Sequence, residues 1–318
     1  MNTSLNRRCA LKLLTTAAAL PLLRLDAQAA AKQRPWKTAI GLNGFESGIR
    51  KYKKNYPIWE ILDFASRTGF DGVELVSNWP AGGYPGAGEK ERIRTLRRLY
   101  ERYGLQIFSI QLGADGALAP DEATRQRWVE EFRDRAQFAK QAGCDCVGMW
   151  PGGGLRGQTI DQAIERLAAS FREAGRIAGD LGLLAAFEIE PPFVFNTEDH
   201  LKRILAQVDH PSLKTIFDPS HFDLMSGSNG RPHEMLQRIG VKNIGYVHLT
   251  DTDGTLRDGG TSKHLGCGDG HVDIATALKT LRDGGFRGWI MIDEWEVEDP
   301  YDACVKGKRA IEQARPKG

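Results

Sequence analysis

Hydrophobic residues follow two alternating periods along the chain from about residue 36 onwards. Short apolar runs, which are typical of buried β-strands, alternate with longer amphipathic stretches of helical period. The runs that predict strands are residues 39–42, 72–76, 106–111, 146–149, 184–189, 213–217, 244–249 and 289–292. The stretches that predict helices are residues 57–68, 89–103, 121–142, 159–181, 197–207, 232–239, 274–283 and 300–314.

The junctions between the predicted helices and strands repeat one pattern, in which a helix ends at a glycine and a hydrophobic strand follows. TGFDGVEL, YGLQIFSI and LGLLAAFE are three examples. Mostly apolar strands that alternate with helices are typical of a parallel sheet that is buried on both faces. Eight such units predict an α/β fold, the (β/α)8 TIM barrel, as a single domain over residues 30–318.

The first 29 residues have the features of an export signal rather than of the barrel. Two arginines, Arg7 and Arg8 in NRRCALK, precede an apolar run, and the small residues AQA follow at 27–29. The apolar run contains Pro21 and is too short to cross a bilayer core of about 30 Å. We therefore predict a cleaved twin-arginine signal peptide, periplasmic localisation and no stable membrane anchor.

Charge and cysteine content narrow the function classes further. Loss of residues 1–29 changes the formal charge from +2 to about −1, so no basic surface for nucleic acid is expected. Four cysteines remain, and a chain of this length can bury a core without disulfides, so we interpret them as buried thiols. The sequence leaves homo-oligomer formation open.

Candidate catalytic chemistry lies at the ends of the last four predicted strands. Each ends in side chains that bind metals or transfer protons: Glu188 and Glu190 in FEIEP, Asp218 and His221 in FDPSH, His248 and Asp251 in VHLTD, and Asp293 and Glu294 in IDEW. The carboxyl ends of barrel strands meet at one mouth. This set of oxygen and imidazole donors predicts one divalent ion, Mn²⁺ or alternatively Mg²⁺, Co²⁺ or Zn²⁺.

Other residues at the strand ends point to a sugar-like ligand. Glu74 ends the second strand, and four aromatic residues at strand exits could stack on a sugar ring: Trp79, Trp150, Phe193 and Trp295. The glycine-rich WPGGG segment after the fourth strand suits either a flexible turn or a weak phosphate cradle.

On these motifs, residues 37–314 resemble the xylose isomerase-like family of sugar isomerases and epimerases, which includes tagatose epimerases, hydroxypyruvate isomerase and inosose dehydratase. The resemblance implies a single metal held by Glu188, Asp218, His248 and an acid from the last strand. That acid is Asp293 by position, whereas Glu294 keeps the family's usual residue type. Side chains alternate along a strand, so only one of the two can face the barrel interior.

The same resemblance implies a keto-sugar isomerase or epimerase that transfers protons through a metal-stabilised enediolate. The first and last ligand carboxylates, Glu188 and either Asp293 or Glu294, would then act as catalytic acids and bases. Substrate contacts would come from His221, Glu190, Glu74, Trp150, Lys263 and His264.

Three other functions stay open on the sequence. A lyase or dehydratase would use the same proton removal and expel a β-substituent from a keto-sugar or keto-glycoside. A nuclease of the endonuclease IV type would need more metal ligands and a basic groove. A non-catalytic carbohydrate-binding barrel would have its acids scattered rather than gathered at one point.

Overall fold

The computed structural model describes residues 36–76, 83–150, 152–191, 193–257 and 260–315 of the chain. Its strands form a closed parallel barrel in the order β1 to β8, as the sequence predicted. They are β1 Trp36–Gly41, β2 Gly72–Leu75, β3 Gln106–Gly113, β4 Cys146–Trp150, β5 Leu184–Phe187, β6 Leu213–Phe217, β7 Ile244–Leu249 and β8 Gly288–Ile292. The fold is a single-domain TIM barrel.

The helices lie outside the strands and join each strand to the next. They are α1 Leu42–Tyr52, α2 Ile58–Arg67, α3 Lys90–Arg102, α4 Glu122–Ala142, α5 Ile160–Asp180, α6 Glu198–Val208, α7 Pro219–Met225, α8 Pro232–Ile239, α9 Ile274–Asp283 and α10 Pro300–Ala314. The hydrophobic pattern did not predict α1 or α7. Helix α1 contains the NGFESG segment, and it buries Asn43 and Ser47 beside the apolar Leu42 and Phe45.

The barrel interior is filled by alternate residues of the strands. This inner layer consists of Ala39, Phe108, Cys146, Ala186, Ile216, Tyr246, Trp289 and Met291. The opposite faces of the same strands pack against the helices in a second and larger core. Residues two positions beyond the inner layer on β5 to β8 are therefore directed to the mouth of the barrel.

The cysteines in the described residues are free thiols, which agrees with the sequence interpretation. Cys144, Cys146 and Cys304 are buried, and Cys267 is half-buried. Across the described residues, no helix combines the length and apolarity that a membrane crossing requires. The predicted signal peptide and Trp79 lie outside the described residues.

Candidate metal centre

Four of the predicted ligands meet at the carboxyl end of the barrel. One ligand atom from each of Glu188, Asp218, His248 and Asp293 lies within 4.8 Å of all the others, and all four residues are buried. Each follows the inner layer by two positions, after Ala186, Ile216, Tyr246 and Met291. The convergence is what catalysis or metal binding requires, and it differs from the scattered acids expected of a binding-only barrel.

The orientation of Asp218 is set by the helix that it begins. As the N-cap of α7, Asp218 accepts hydrogen bonds through Oδ1 from the backbone amides of Ser220 at 2.7 Å and His221 at 3.2 Å. Pro219 at the first helical position needs no such acceptor. The second oxygen, Oδ2, is buried without a hydrogen-bond partner in the protein. It is therefore free to coordinate an ion.

His248 lies between the cluster and an acid deeper in the barrel. Its Nδ1 is 2.8 Å from Glu188 Oε1, and its Nε2 is 3.0 Å from Glu74 Oε2. Burial alone would lower the pKa of His248, but Glu188 and Glu74 outweigh burial and raise it well above its ordinary value. In the metal-free protein the imidazolium donates to both acids, and an ion bound at Nδ1 would displace the proton there.

The position of Glu74 differs from the prediction that its side chain contacts the substrate. It is 3% exposed, and its other oxygen accepts a 2.9 Å hydrogen bond from the Tyr246 hydroxyl. A register shift between β2 and β3 falls directly at Val73 and Glu74. The side chain thus orients His248 from below the cluster instead of facing the substrate. Such carboxylate–histidine pairs fix the ring tautomer and make the other nitrogen a better ligand.

We expect Glu74→Gln to weaken metal binding about 10–100-fold, because a neutral amide is a poorer acceptor for the Nε2 proton of His248. The measurement is competition for the metal against a chelator of known affinity. Tyr246→Phe removes only the hydroxyl donor to Glu74 and serves as the matched control, with a smaller expected loss. Unchanged metal affinity in Glu74→Gln would contradict the orienting role.

The structure separates Asp293 from Glu294. Asp293 Oδ1 accepts from Asn43 Nδ2 at 2.9 Å and from the Trp295 amide at 3.0 Å, while Oδ2 lies 3.4 Å from His248 Nδ1. Burial would raise the pKa of Asp293, but His264 and His248 lower it below its ordinary range. Asp293 is therefore an ionised member of the cluster.

Glu294 is the residue that the structure does not bring to the cluster. It continues the outward face of β8, and its Oε1 accepts a 2.6 Å hydrogen bond from the Cys304 thiol on α10. Burial raises the pKa of Glu294 well above its ordinary value, which favours a neutral acid. Its predicted roles as ligand and catalytic acid are corrected in favour of Asp293.

A chain of hydroxyl groups orients His221. Its Nδ1 lies 2.8 Å from Ser262 Oγ, Ser262 Oγ lies 2.6 Å from Ser220 Oγ, and Ser220 donates to Asp218 Oδ1 at 2.6 Å. This leaves His221 Nε2 directed towards three acids, at 3.6 Å from Glu190, 3.8 Å from Asp218 and 3.9 Å from Glu188. His221 is therefore placed to contact a substrate beside the ligands.

Of the remaining residues predicted to contact the substrate, His264 lies at the candidate metal centre and Lys263 does not. His264 Nδ1 is 3.5 Å from Asp293 Oδ1, and its ring forms a group with Asp218 and His221 that could itself hold an ion. Lys263 is paired with Asp253 on its own loop. The prediction that Lys263 contacts the substrate is not supported by this position.

Asp251 of the VHLTD motif supports a loop. Its carboxylate accepts hydrogen bonds from the backbone amides of Thr252, Gly268, Gly270 and Val272 at 2.8–3.1 Å. A Cβ atom at Gly270 would overlap this carboxylate, which explains a glycine there. Asp251 thereby fixes the loop LGCGDGHVD, residues 265–273. Asn43 and Ser262, which complete the site, were not predicted from the sequence.

The buried donor set suits a divalent ion. Three carboxylates and one imidazole are ligands that Mn²⁺, Mg²⁺, Co²⁺ and Zn²⁺ accept, and Asp218 Oδ2 has no hydrogen-bond partner in the described protein. Within the described part of the chain, the ion pairs of Glu188, Asp218 and Asp293 are to histidines and never to lysine or arginine. A cation would therefore relieve the excess of negative charge.

Comparisons with known proteins agree with this architecture. The family model described as the xylose isomerase-like TIM barrel matches residues 62–315. Inosose dehydratase of Clostridium botulinum (strain Alaska E43 / Type E3) is 22% identical over 272 residues, which covers 77% of this chain and 85% of that protein.

Two solved structures show the same fold. The crystal structure of an IOLI protein with a bound zinc atom has a TM-score of 0.70 at 18% identity, and the match covers 87% of this chain and 97% of that one. A D-tagatose 3-epimerase-like protein has a TM-score of 0.63 at 22% identity, over 87% of this chain and 96% of that one.

Proposed function

The chain belongs to the xylose isomerase-like TIM barrel family, whose enzymes act on small sugars, and on that premise we propose that it is a divalent-metal-dependent keto-sugar isomerase or epimerase. The observation that carries the proposal is the buried convergence of Glu188, Asp218, His248 and Asp293 at the mouth of the barrel. The substrate is a small carbohydrate, and Mn²⁺ is the ion that we favour.

These four residues would hold the ion. When bound, it would polarise the substrate carbonyl and balance the negative charge that develops on the carbonyl oxygen during proton removal. His248 is fixed for this role by Glu74, and Asp218 by the N-terminus of α7.

Proton transfer is assigned to the two carboxylates that flank His248. Glu188 Oε1 and Asp293 Oδ2 approach its Nδ1 at 2.8 and 3.4 Å from neighbouring sides. Glu188 would take the proton from the carbon next to the carbonyl. An epimer would form if Asp293, which is ionised at the start, takes up a proton from solvent and delivers it to the opposite face of the same carbon, while Glu188 releases its proton to solvent. An isomer would form if Glu188 returns its proton to the former carbonyl carbon and the proton of the α-hydroxyl moves to the former carbonyl oxygen. His221 and His264 would hold substrate hydroxyls.

A lyase is the second candidate, and the similarity to inosose dehydratase over 77% of the chain favours it. Removal of the same proton would be followed by loss of a substituent from the β-carbon. The residues that bind the carbonyl and take the proton are common to both reactions, so the difference lies in what the β-carbon carries.

The test is proton exchange in deuterated water. With the metal-loaded protein and a panel of keto-sugars, we expect deuterium to enter the position next to the carbonyl, as measured by proton NMR. An isomeric sugar among the products supports the isomerase, and loss of a β-substituent supports the lyase. Absence of exchange across the panel would refute the proton-transfer mechanism.

We also propose export to the periplasm by the twin-arginine route, from the NRRCALK motif and the following apolar run. Replacement of both Arg7 and Arg8 by lysine should keep the protein in the cytoplasm, because the pathway recognises the arginine pair. The readout is the amount of protein in periplasmic and cytoplasmic fractions. Normal export of this variant would exclude the route.

A further inference from the structure

A cavity of about 260 Å³ opens beside the candidate metal centre, above the carboxyl ends of β3, β4 and β5. It is lined by two acids, two aromatic rings and glycines: Asp115, Glu190, Trp150, Phe193, Gly113, Gly152 and Gly153. Of these residues, the candidate metal centre involves only Glu190, whereas Trp150 and Phe193 were predicted from the sequence to stack on a sugar ring. The volume is close to the lower end of small-molecule pockets, about 300 Å³, and suits one ring.

The glycines of the WPGGG segment give this cavity its shape. A Cβ atom at Gly152 would overlap Asp115 Oδ1, and Gly153 has a φ of 95°, in the region that favours glycine. The backbone of the segment therefore lies directly against Asp115. A side chain at Gly152 would displace the Asp115 carboxylate from the cavity wall.

Phe193 supplies an apolar wall that the protein itself leaves uncovered. Its side chain is 41% exposed, whereas most large aromatic residues of the described chain are buried. The Trp150 ring lines the same cavity and is half-buried. Two partly open aromatic rings beside carboxylates are an arrangement that binds the apolar face of a sugar ring and its hydroxyl groups.

The charge of the lining selects against an anionic ligand. The described residues that line the cavity include two carboxylates and no lysine, arginine or histidine, so a phosphate group would be repelled by them. The carboxylate oxygens of Asp115 and Glu190 can accept hydrogen bonds from sugar hydroxyls. Of the two alternatives for the glycine segment, a flexible turn or a weak phosphate cradle, these carboxylates disfavour the phosphate cradle.

Glu190 lies between the cavity, which it lines, and the candidate metal centre. Glu190 Oε2 is 3.6 Å from His221 Nε2, which in turn is 3.8 Å from Asp218. A ligand with its carbonyl at the four-residue cluster can therefore extend past Glu190 into the cavity.

We infer that this cavity is a subsite for a second, uncharged sugar ring, so that the substrate is an unphosphorylated keto-sugar joined to another sugar by a glycosidic bond. The inference rests on the proposed function and adds the substrate class. The reacting ring lies at the metal centre, the second ring stacks between Trp150 and Phe193, and Asp115 and Glu190 bind its hydroxyls.

The experiment compares three ketoses in the deuterium-exchange assay. Maltulose carries a glucosyl ring on O4 of fructose, fructose has no second ring, and fructose 6-phosphate carries an anion. We expect kcat/KM for exchange to be highest with maltulose and lowest with fructose 6-phosphate. A preference for fructose 6-phosphate over maltulose would overturn the inference.

Two variants locate the effect in the cavity. Phe193→Ala and Asp115→Asn should each lower the ratio of kcat/KM for maltulose to that for fructose, by up to about tenfold for the aromatic residue. Trp59→Ala removes a side chain that is 61% exposed on α2 and serves as the control for loss of a surface aromatic. An unchanged ratio in both cavity variants would place the second ring elsewhere.

A binding measurement separates failure of the subsite from failure of the proposed reaction. If no ketose exchanges, saturation-transfer NMR with maltitol, sorbitol and sorbitol 6-phosphate reports contact without chemistry. Contact with the glucosyl protons of maltitol that is reduced in Phe193→Ala supports the subsite even then. No contact with maltitol refutes it.

Discussion

Glu188→Gln is expected to reduce deuterium exchange next to the substrate carbonyl by about 10²–10⁴-fold, the range in which a positioned acid–base group contributes. The amide oxygen of glutamine can still approach an ion beside His248, but the amide cannot accept the proton. Metal content should therefore fall much less than turnover. Exchange is measured by NMR and metal content by mass spectrometry on the same preparation.

Glu190→Gln is the matched control for this experiment. Glu190 lies two residues further along the same segment and 3.6 Å from His221, but it is not among the four converging ligands. We expect it to change KM more than kcat, because it contacts substrate hydroxyls and does not take the proton. Equal loss of kcat in both variants would contradict the assignment of Glu188 as the base.

Asp218→Ala and His248→Ala are each expected to lower metal affinity by more than about 10–100-fold, the range expected when only a residue supporting a ligand is lost. Activity should be lost together with the metal. Each variant removes one of only four buried ligands. In His248→Ala the acids Glu74 and Glu188 also lose their shared imidazole partner, so some loss of stability is expected from their uncompensated charge.

Glu294→Gln is the control that the structure provides for these losses. Its side chain is buried one residue after Asp293 but bonds to Cys304 on the outer face of β8. It should keep full metal content, whereas Asp293→Ala, which removes both carboxylate oxygens, should lose metal. Circular dichroism of each variant separates loss of a ligand from unfolding. Loss of metal in Glu294→Gln with retention in Asp293→Ala would reverse the assignment of the fourth ligand.

The barrel itself was predictable because the spacing of hydrophobic residues identifies each strand and most of the helices from local sequence. Most strands are short apolar runs that follow a glycine-terminated helix, and the predicted bounds of β6 and β7 agree with the structure at both ends. The helices α1 and α7 were missed because their buried faces mix apolar residues, such as Phe45 and Phe222, with polar ones, such as Asn43, Ser220 and His221. A partly polar buried face weakens the hydrophobic pattern by which a helix is predicted.

The sequence by itself determined the fold class and placed Glu188, Asp218, His221 and His248 at strand ends that must meet at one mouth. It could not decide between Asp293 and Glu294. Because β8 is apolar on both faces, its sequence does not show which face points into the barrel. Only barrel closure, which places Trp289 and Met291 in the interior, fixed that choice.

Tertiary structure also decided the roles of residues that are distant in sequence. Glu74 ends a strand like the other acids, yet its partners His248 and Tyr246 come from β7, more than 170 residues later. Asp115 and Phe193 join one cavity wall from the exits of different strands. Local sequence determines the hydrophobic period of each helix and strand and the residue at which it ends. The contacts between these elements depend on how far each strand is staggered relative to its neighbours around the closed barrel.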